Sequence, residues 1–536
     1  MPGRSPWKMA VGATAIALLA AGCSGGSDDS ADYTNSAIIG IVEPQHLLPT
    51  NTTEISGSEV LDSLFYPLVD FDDKNQPVEK AAESITSSDN KVWTVKLRDG
   101  FTFSNGEAVT ADNYINAWNY GAYGPNAQGG SYFFERIAGY ADLQSRDKAT
   151  PKANALSGLK KVDDRTFTIT LSSPFAGWKS VLAYNTFLPL PNAAFSAPGV
   201  IKDGFEDAPI GNGPFKMKGT WEHDNQIQVT RRDDFNGTKP KVAGVIWKIY
   251  QDQNSEYADL VAGNVDVQTT IPVESLGSAA GDLGDRFQKS PNSSFQFVGF
   301  PTFQKEYQNP DVRHAISMAV NREEMTSQIF LDSQTPATAF VSPAVNGYRA
   351  NSCGEYCKYD AAKAKALYQR SGGPKELTIA YNADGPHKAW VDAMCIQIKA
   401  SLGVNCTGVA EPKFSDLLTK AENEEPVGML RLGWVMDYPL MESYLGPLYT
   451  TNGSANYWGY SNAAFDDLVK EGDAAKTPAD SIKKWQQAED ILAQDMPVIP
   501  LRFGQNVFGY SERTSNVTVD LFGKVDLSKI EIAATK

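Results

Sequence analysis

Arg431 and Asp437 stand in an apolar run, residues 428–440 (GMLRLGWVMDYPL), where a plain buried strand carries neither charge. If the run is a strand throughout, alternation puts Arg431, Gly433, Val435 and Asp437 on one face, with the two charges at most about 20 Å apart. A short zwitterion fits that reach. A carboxylate can hold an ammonium and a guanidinium can hold a carboxylate through charge-assisted hydrogen bonds, so this segment could grip both ends of a small peptide. The competing readings are an ion pair internal to the fold and a strand that simply ends at Tyr438-Pro439. Glu43 and Gln45 form a second candidate group, just past the apolar run 36–42 (SAIIGIV). Strand ends are where open α/β sheets place ligand contacts, with a solvated loop as the alternative. Aromatic residues crowd the same region as the charged pair: Trp434, Tyr438, Tyr444, Tyr449, Tyr457, Trp458 and Tyr460. Most belong in a core, and some could line roomy, wet pockets that accept varied side chains.

Other chemistries find little support. The four histidines (His46, His223, His314, His387) include no His-Glu-x-x-His arrangement, so a zinc hydrolase has no ligand set. The Gly-x-Ser-x-Gly match at residues 22–26 straddles the end of the N-terminal leader and cannot be a nucleophile elbow. Pairs such as Asp233-Asp234, Glu323-Glu324 and Glu424-Glu425 read as solvated faces rather than glycosidase carboxylates. The run Gly211-Asn212-Gly213-Pro214 lacks the lysine-serine ending of a phosphate loop, and Pro214 removes a backbone donor, so it reads as a structural turn. No reaction, cofactor or metal is expected. The formal charge of −16 argues against a nucleic-acid partner.

At 536 residues the chain is too long for one core, and its 42% hydrophobic and 21% charged residues describe a globular protein of several domains. Residues 1–22 carry a basic start (Arg4, Lys8) and an apolar stretch too short to span a bilayer comfortably, ending at Ala20-Ala21-Gly22-Cys23. This resembles a lipoprotein signal peptide. The resemblance implies cleavage before Cys23 and acylation of its sulfur, with residues 23–32, rich in Ser, Gly and Asp, as the flexible tether; an ordinary secretory leader with a chance cysteine is the alternative. The remaining cysteines, Cys353, Cys357, Cys395 and Cys406, are even in number in an exported chain and read as two disulfides. Of the three connectivities, Cys353 with Cys357 and Cys395 with Cys406 is favoured because both pairs are local. A metal site of all four thiolates competes, although the spacing is unlike that of zinc knuckles.

Strand and helix patterns alternate along the chain in mixed α/β order, with no internal repeat. An amphipathic helix is expected over residues 59–68, a hairpin over 92–103 turning at Asp99-Gly100, and a second turn at Ser104-Asn105-Gly106. Thr110 is the expected N-cap of a helix that faces Tyr114, Ala117 and Trp118 inward, and Asp360 caps an alanine- and lysine-rich helix.

The segment WTVKLRDGFTFSNGEAVTADNYINAW (93–118) closely resembles the signature of the family 5 extracellular solute-binding proteins, the peptide-binding receptors of ABC importers. The likeness continues through GLKKVDDRTFTITLSSPF (158–175), PIGNGPFKM (209–217), NPDVRHAISMAVNREEM (309–325), YDAAKAKALY (359–368) and residues 431–439. It implies a three-domain cleft-type periplasmic-binding-protein fold: two α/β lobes joined by two crossing strands, plus an inserted extra domain. By analogy lobe I comprises residues 33–55, 204–298 and 502–536, the insert 56–203, and lobe II 299–501. The resemblance places Asp437 where the family's Trp-x-x-Asp-Tyr motif binds a peptide's α-amino group, with Trp434 and Tyr438 beside it. It places Arg431 where a ligand carboxylate can be met, and Glu43 and Gln45, more loosely, against ligand backbone. The motif's usual second acid is absent at Pro439-Leu440. The implied partners are short peptides and the permease and ATPase subunits of an importer, the protein being a monomer held at the outer face of the membrane through Cys23. The alternatives are a sensing or adhesion lipoprotein, or a cleft for a nickel chelate, haem, opine or oligosaccharide.

Overall fold

The computed structural model describes residues 35–144, 150–425 and 427–533. The leader, Cys23 and the tether lie outside these residues. An 11-stranded mixed sheet runs through the molecule. Its path is Phe215–Met217, Gln226–Arg231, Gly244–Ile249, Ser36–Ile41, Val267–Gln268, Val498–Tyr510, Phe287–Gly299, Met429–Trp434, Glu376–Asn382 and Asn405–Glu411, and Gln334–Pro336 pairs with Val498–Tyr510 off this path. Each half of the sheet is covered by helices, giving the two α/β lobes of a cleft fold. The halves are joined by the two longest strands, Phe287–Gly299 and Val498–Tyr510, which lie antiparallel to each other. Their ladder is interrupted midway: Pro291 faces Gln505, and pairing resumes with Phe295 opposite Phe503. Residues 292–294 bulge from the ladder, and Ser294 N–H turns back to Asn292 Oδ1 at 2.9 Å. A bulge bends and twists a strand locally, so the sheet changes direction there.

A separate four-stranded sheet, in the order Ala82–Thr86, Val92–Leu97, Thr166–Thr170, Leu159–Asp163, forms the inserted region with helix Ala111–Ala122. Thr110 closes that helix as expected, its N–H donating to Asn113 Oδ1 at 2.7 Å. Tyr114, Ala117 and Trp118 are fully buried. The Trp118 ring meets Phe167 and Phe187 edge-on at 5.5 and 5.2 Å, the geometry aromatic quadrupoles favour. The hairpin expected over 92–103 does not form. Val92–Leu97 pairs instead with Ala82–Thr86 and Thr166–Thr170, so both its edges are already occupied when the chain turns at Gly100. Residues 101–103 leave the sheet and enter the second turn, with Gly106 N–H donating to Phe103 O at 2.9 Å. The helix expected over 59–68 starts earlier, at Ile55–Leu64, because Glu54 caps it by accepting from Gly57 N–H at 2.9 Å.

Gly211-Asn212-Gly213-Pro214 is a packing turn. A Cβ on Gly211 would meet Leu64 O at 1.9 Å, so only glycine allows the backbones this close. Asn212 accepts from Tyr66 N–H at 3.0 Å and donates to Tyr66 O at 3.2 Å, stitching the turn to the end of the first helix. The four cysteines form Cys353–Cys357 and Cys395–Cys406. The second bridge ties helix Lys388–Leu402 to strand Asn405–Glu411.

Candidate ligand-binding cleft

Strand Met429–Trp434 lies antiparallel to residues 295–299 and parallel to Glu376–Asn382. It ends at Trp434, so the alternation that would put Asp437 on the face of Arg431 stops short of it. The following turn folds back on helix Glu442–Tyr449 instead. Trp434 Nε1 donates to Ser443 O at 2.8 Å, Asp437 N–H donates to Ser443 Oγ at 2.9 Å, and the Tyr438 hydroxyl donates to Glu442 Oε2 at 2.5 Å.

This turn leaves the Asp437 carboxylate half-buried, and among the described residues it has neither a hydrogen bond nor an ion pair. Burial, with a smaller contribution from the Glu442 charge, pushes it up to about 7. An acid in this state gains from a cation placed against it, because the cation restores what desolvation took away. Two tyrosines of the inserted region lie close enough to sense that charge: burial first, and then Asp437, push the hydroxyls of Tyr132 and Tyr184 well up. Their rings sandwich Phe133, with centroids 4.3 and 3.9 Å away. Both come within electrostatic range of the acid, and no spacing in the sequence marked either residue for it.

Arg431 occupies a different environment in lobe II. Its Nη1 donates to Asn382 Oδ1 at 3.0 Å and its Nη2 to Gln296 Oε1 at 3.4 Å, while its buried Nε has no partner. It forms no ion pair with Asp437, so the reading of the two charges as a pair internal to the fold is set aside. Burial pulls the guanidinium down to about 10, Asp384 opposing. Arg502 is nearby and deeply buried, its guanidinium over the rings of Phe330 and Trp390 at 4.3 and 4.7 Å and its Nη1 unpartnered. Burial and then the Arg431 charge lower it to about 9. His387 completes the group: Trp390 Nε1 donates to its Nδ1 at 3.3 Å, and burial followed by the two arginines lowers it to about 4, leaving it neutral at pH 7. Such a group, rich in positive charge and spare N–H donors, suits an anion. Gln296, Arg502 and His387 were not marked by the sequence, although a glutamine and an arginine inside otherwise apolar strands were a signal that could have found two of them.

The remaining candidates are placed as follows. Trp434 is half-buried with its N–H engaged; Tyr438 is buried with its hydroxyl engaged, leaving ring surface as its contribution. Glu43 follows the first strand, as expected, and its carboxylate meets His223 Nδ1 at 3.0 Å and Asp224 N–H at 3.1 Å. Gln45 is exposed.

Residues 76–456 match the model of the family described as bacterial extracellular solute-binding proteins, family 5. The chain belongs to that family. This family 5 protein is 25% identical over 517 residues to the oligopeptide-binding protein OppA of Bacillus subtilis (strain 168), with 93% of each chain covered. It is 27% identical over 467 residues to the dipeptide-binding protein DppE of the same organism, covering 82% of this chain and 81% of the relative. Its structure resembles the unliganded open form of the murein tripeptide-binding protein MppA with a TM-score of 0.80, at 21% identity, covering 93% of this chain and 97% of the other. Haemophilus influenzae OppA in complex with the peptide RPPGFSPFR gives a TM-score of 0.73 at 21% identity, covering 94% and 99%. The family 5 protein is accordingly a solute-binding protein of the extracytoplasmic type and not an enzyme. No helix among its described residues is long and apolar enough to cross a membrane.

Proposed function

We propose that this family 5 protein is a lipoprotein, anchored through Cys23 at the outer face of the cell membrane, that captures short peptides between its two lobes and hands them to the permease and ATPase subunits of an ABC importer. The observation that carries the peptide reading is the Asp437 carboxylate, half-buried, without a hydrogen bond or ion pair among the described residues, and within electrostatic range of Tyr132 and Tyr184. A peptide's α-ammonium supplies the missing charge. Arg431 receives the C-terminal carboxylate of peptides long enough to reach it; Trp434 and Tyr438 offer ring surface; Glu43 and Gln45 contact ligand backbone from lobe I. Lobe I comprises residues 33–55, 204–298 and 502–536, the insert 56–203 and lobe II 299–501, and the ladder break at residues 292–294 supports a hinge between the lobes. Ligand bridging the lobes shifts an open-to-closed equilibrium by its differential affinity for the closed form.

Mass spectrometry of ligand retained by purified protein, followed by calorimetry with free-amino and N-acetylated peptides, tests this reading. Free peptides bind and acetylated ones bind far more weakly; equal binding of both, or retention of a non-peptide solute, overturns it. The anchor is tested separately, by palmitate labelling of the wild type and of Cys23→Ala, which remains folded and unlabelled.

A further inference from the structure

The turn that presents Asp437 is held from behind by a residue of the inserted region. Arg136 reaches across to lobe II and places Nη2 2.5 Å from Glu442 Oε1 and Nη1 3.1 Å from Asp473 Oδ2, with its guanidinium 4.1 Å above the Phe175 ring. Glu442 is almost fully buried, and its other carboxylate oxygen accepts the Tyr438 hydroxyl, one residue from Asp437. Its neighbour Ser443 accepts from both Asp437 N–H and Trp434 Nε1. Asp473 is fixed in turn by Trp485 Nε1 at 3.3 Å, and its backbone oxygen accepts from Ala176 N–H of the insert at 2.9 Å. The chain of contacts therefore runs from the insert through Arg136, Glu442 and Tyr438 to the ligand-facing carboxylate. Asn90 Nδ2 to Ala475 O at 2.8 Å and Asn346 Nδ2 to Asn75 O at 2.9 Å extend the same contact between insert and lobe II.

We propose that Arg136 is a positioning residue for the ammonium site: by clamping Glu442 and Asp473 from the inserted region it fixes the turn of residues 434–443 and offsets the two acids behind Asp437. This rests on the peptide reading above. Two consequences follow from the geometry. A bidentate guanidinium bridging two carboxylates cannot be replaced by a lysine, whose single ammonium meets one of them well. Docking of the insert on lobe II and the shape of the ammonium site also become one event, so a ligand that selects the formed turn selects the docked arrangement.

The test compares wild type, Arg136→Gln and Arg136→Lys by hydrogen exchange of the segment 434–443, and by calorimetry with trialanine and N-acetyl-trialanine from pH 6 to 8.5. In Arg136→Gln the exchange of 434–443 rises about tenfold or more while distant segments keep their protection, and trialanine affinity falls about tenfold or more. The pH at which that affinity is half-lost moves up. Asp437 is then faced by Glu442 and by the hydroxyls of Tyr132, Tyr184, Tyr438 and Tyr444, and Glu442 in turn by Asp473 and Glu135, with the offsetting cation gone. Arg136→Lys falls between the two and carries the same test should Arg136→Gln fail to fold. Unchanged exchange of 434–443 together with an unchanged pH profile, whatever happens to the melting temperature, shows that Arg136 only fastens the insert and overturns the proposal. The exchange measurement needs no ligand: if wild type binds trialanine and its acetylated form alike, the peptide reading falls while Arg136 is still judged on the turn.

Discussion

The two charged groups proposed to receive the ends of a ligand, at Asp437 and at Arg431, are built on opposite plans. At Asp437 a single acid, without a hydrogen bond or ion pair among the described residues, sits on a turn, with its support in a separate layer behind it: Glu442, Tyr438, Ser443 and Arg136. At Arg431 the charge lies within a strand, bonded to two amide side chains, beside a second buried guanidinium and a neutral histidine. The first plan leaves one unmet charge at a fixed point, which suits a group every ligand carries at the same place. The second spreads positive charge and spare donors over several side chains, which suits a group whose position varies with ligand length. A receptor for peptides of several lengths, as proposed above, needs both.

The comparison is broken most decisively at the acid. Asp437→Asn keeps the shape and removes the charge, leaving a desolvated ammonium without its counterion; free-amino peptides of every length lose several kcal/mol, on the order of 2–5, by calorimetry. Uniform affinity of the variant and wild type would place the charge outside the ligand site. The same change sharpens the contrast through stability. A carboxyl raised from 3.8 to about 7 in the folded state contributes stability that is fully present below the unfolded value and lost as pH rises through about 7. Asp437→Asn therefore gains on wild type as pH rises, by about 1–3 kcal/mol at pH 8 and little at pH 4, the partly open position of the carboxylate reducing the effect. Denaturant melts at the two pH values check this; a gain that does not depend on pH contradicts it. Wild-type peptide affinity follows the reverse course and falls as pH drops through about 7, where Asp437 takes up its proton.

At the other end, Arg431→Ala has a smaller and selective effect. It costs about 1–3 kcal/mol for peptides whose C-terminus reaches the guanidinium and close to nothing for shorter ones. A di- to pentapeptide series resolves the two classes, and an equal loss across the series would make the two ends alike and defeat the contrast. The smallest effect is expected from the disulfides. Opening Cys395–Cys406, with a separation of 11, loosens the helix behind His387 and lowers stability more than opening Cys353–Cys357, with a separation of 4. Chain entropy puts the difference near about 1 kcal/mol. Thermal melts of the paired alanine variants read it directly.

Much was legible in the residues themselves. Local chemistry determined the caps at Thr110 and Asp360 and the local pairing of the cysteines, because each depends on neighbours close in sequence. The long family motifs carried the fold class, and the presence of Arg431 and Asp437 in an apolar run drew attention to the cleft. The tertiary structure alone decided how those two charges relate. The strand stops at Trp434, so alternation along the chain could not place Asp437, and the fold back to Ser443 did. Tyr132, Tyr184 and Arg136 come from the insert, and Gln296 and Arg502 from the crossing strands, all outside the motif and brought to it by the fold. Their roles are set by burial and by charges brought near in space. A residue's type and spacing state which bonds it can make, whereas the partner it meets, and the cost of leaving it without one, depend on which other segments fold against it.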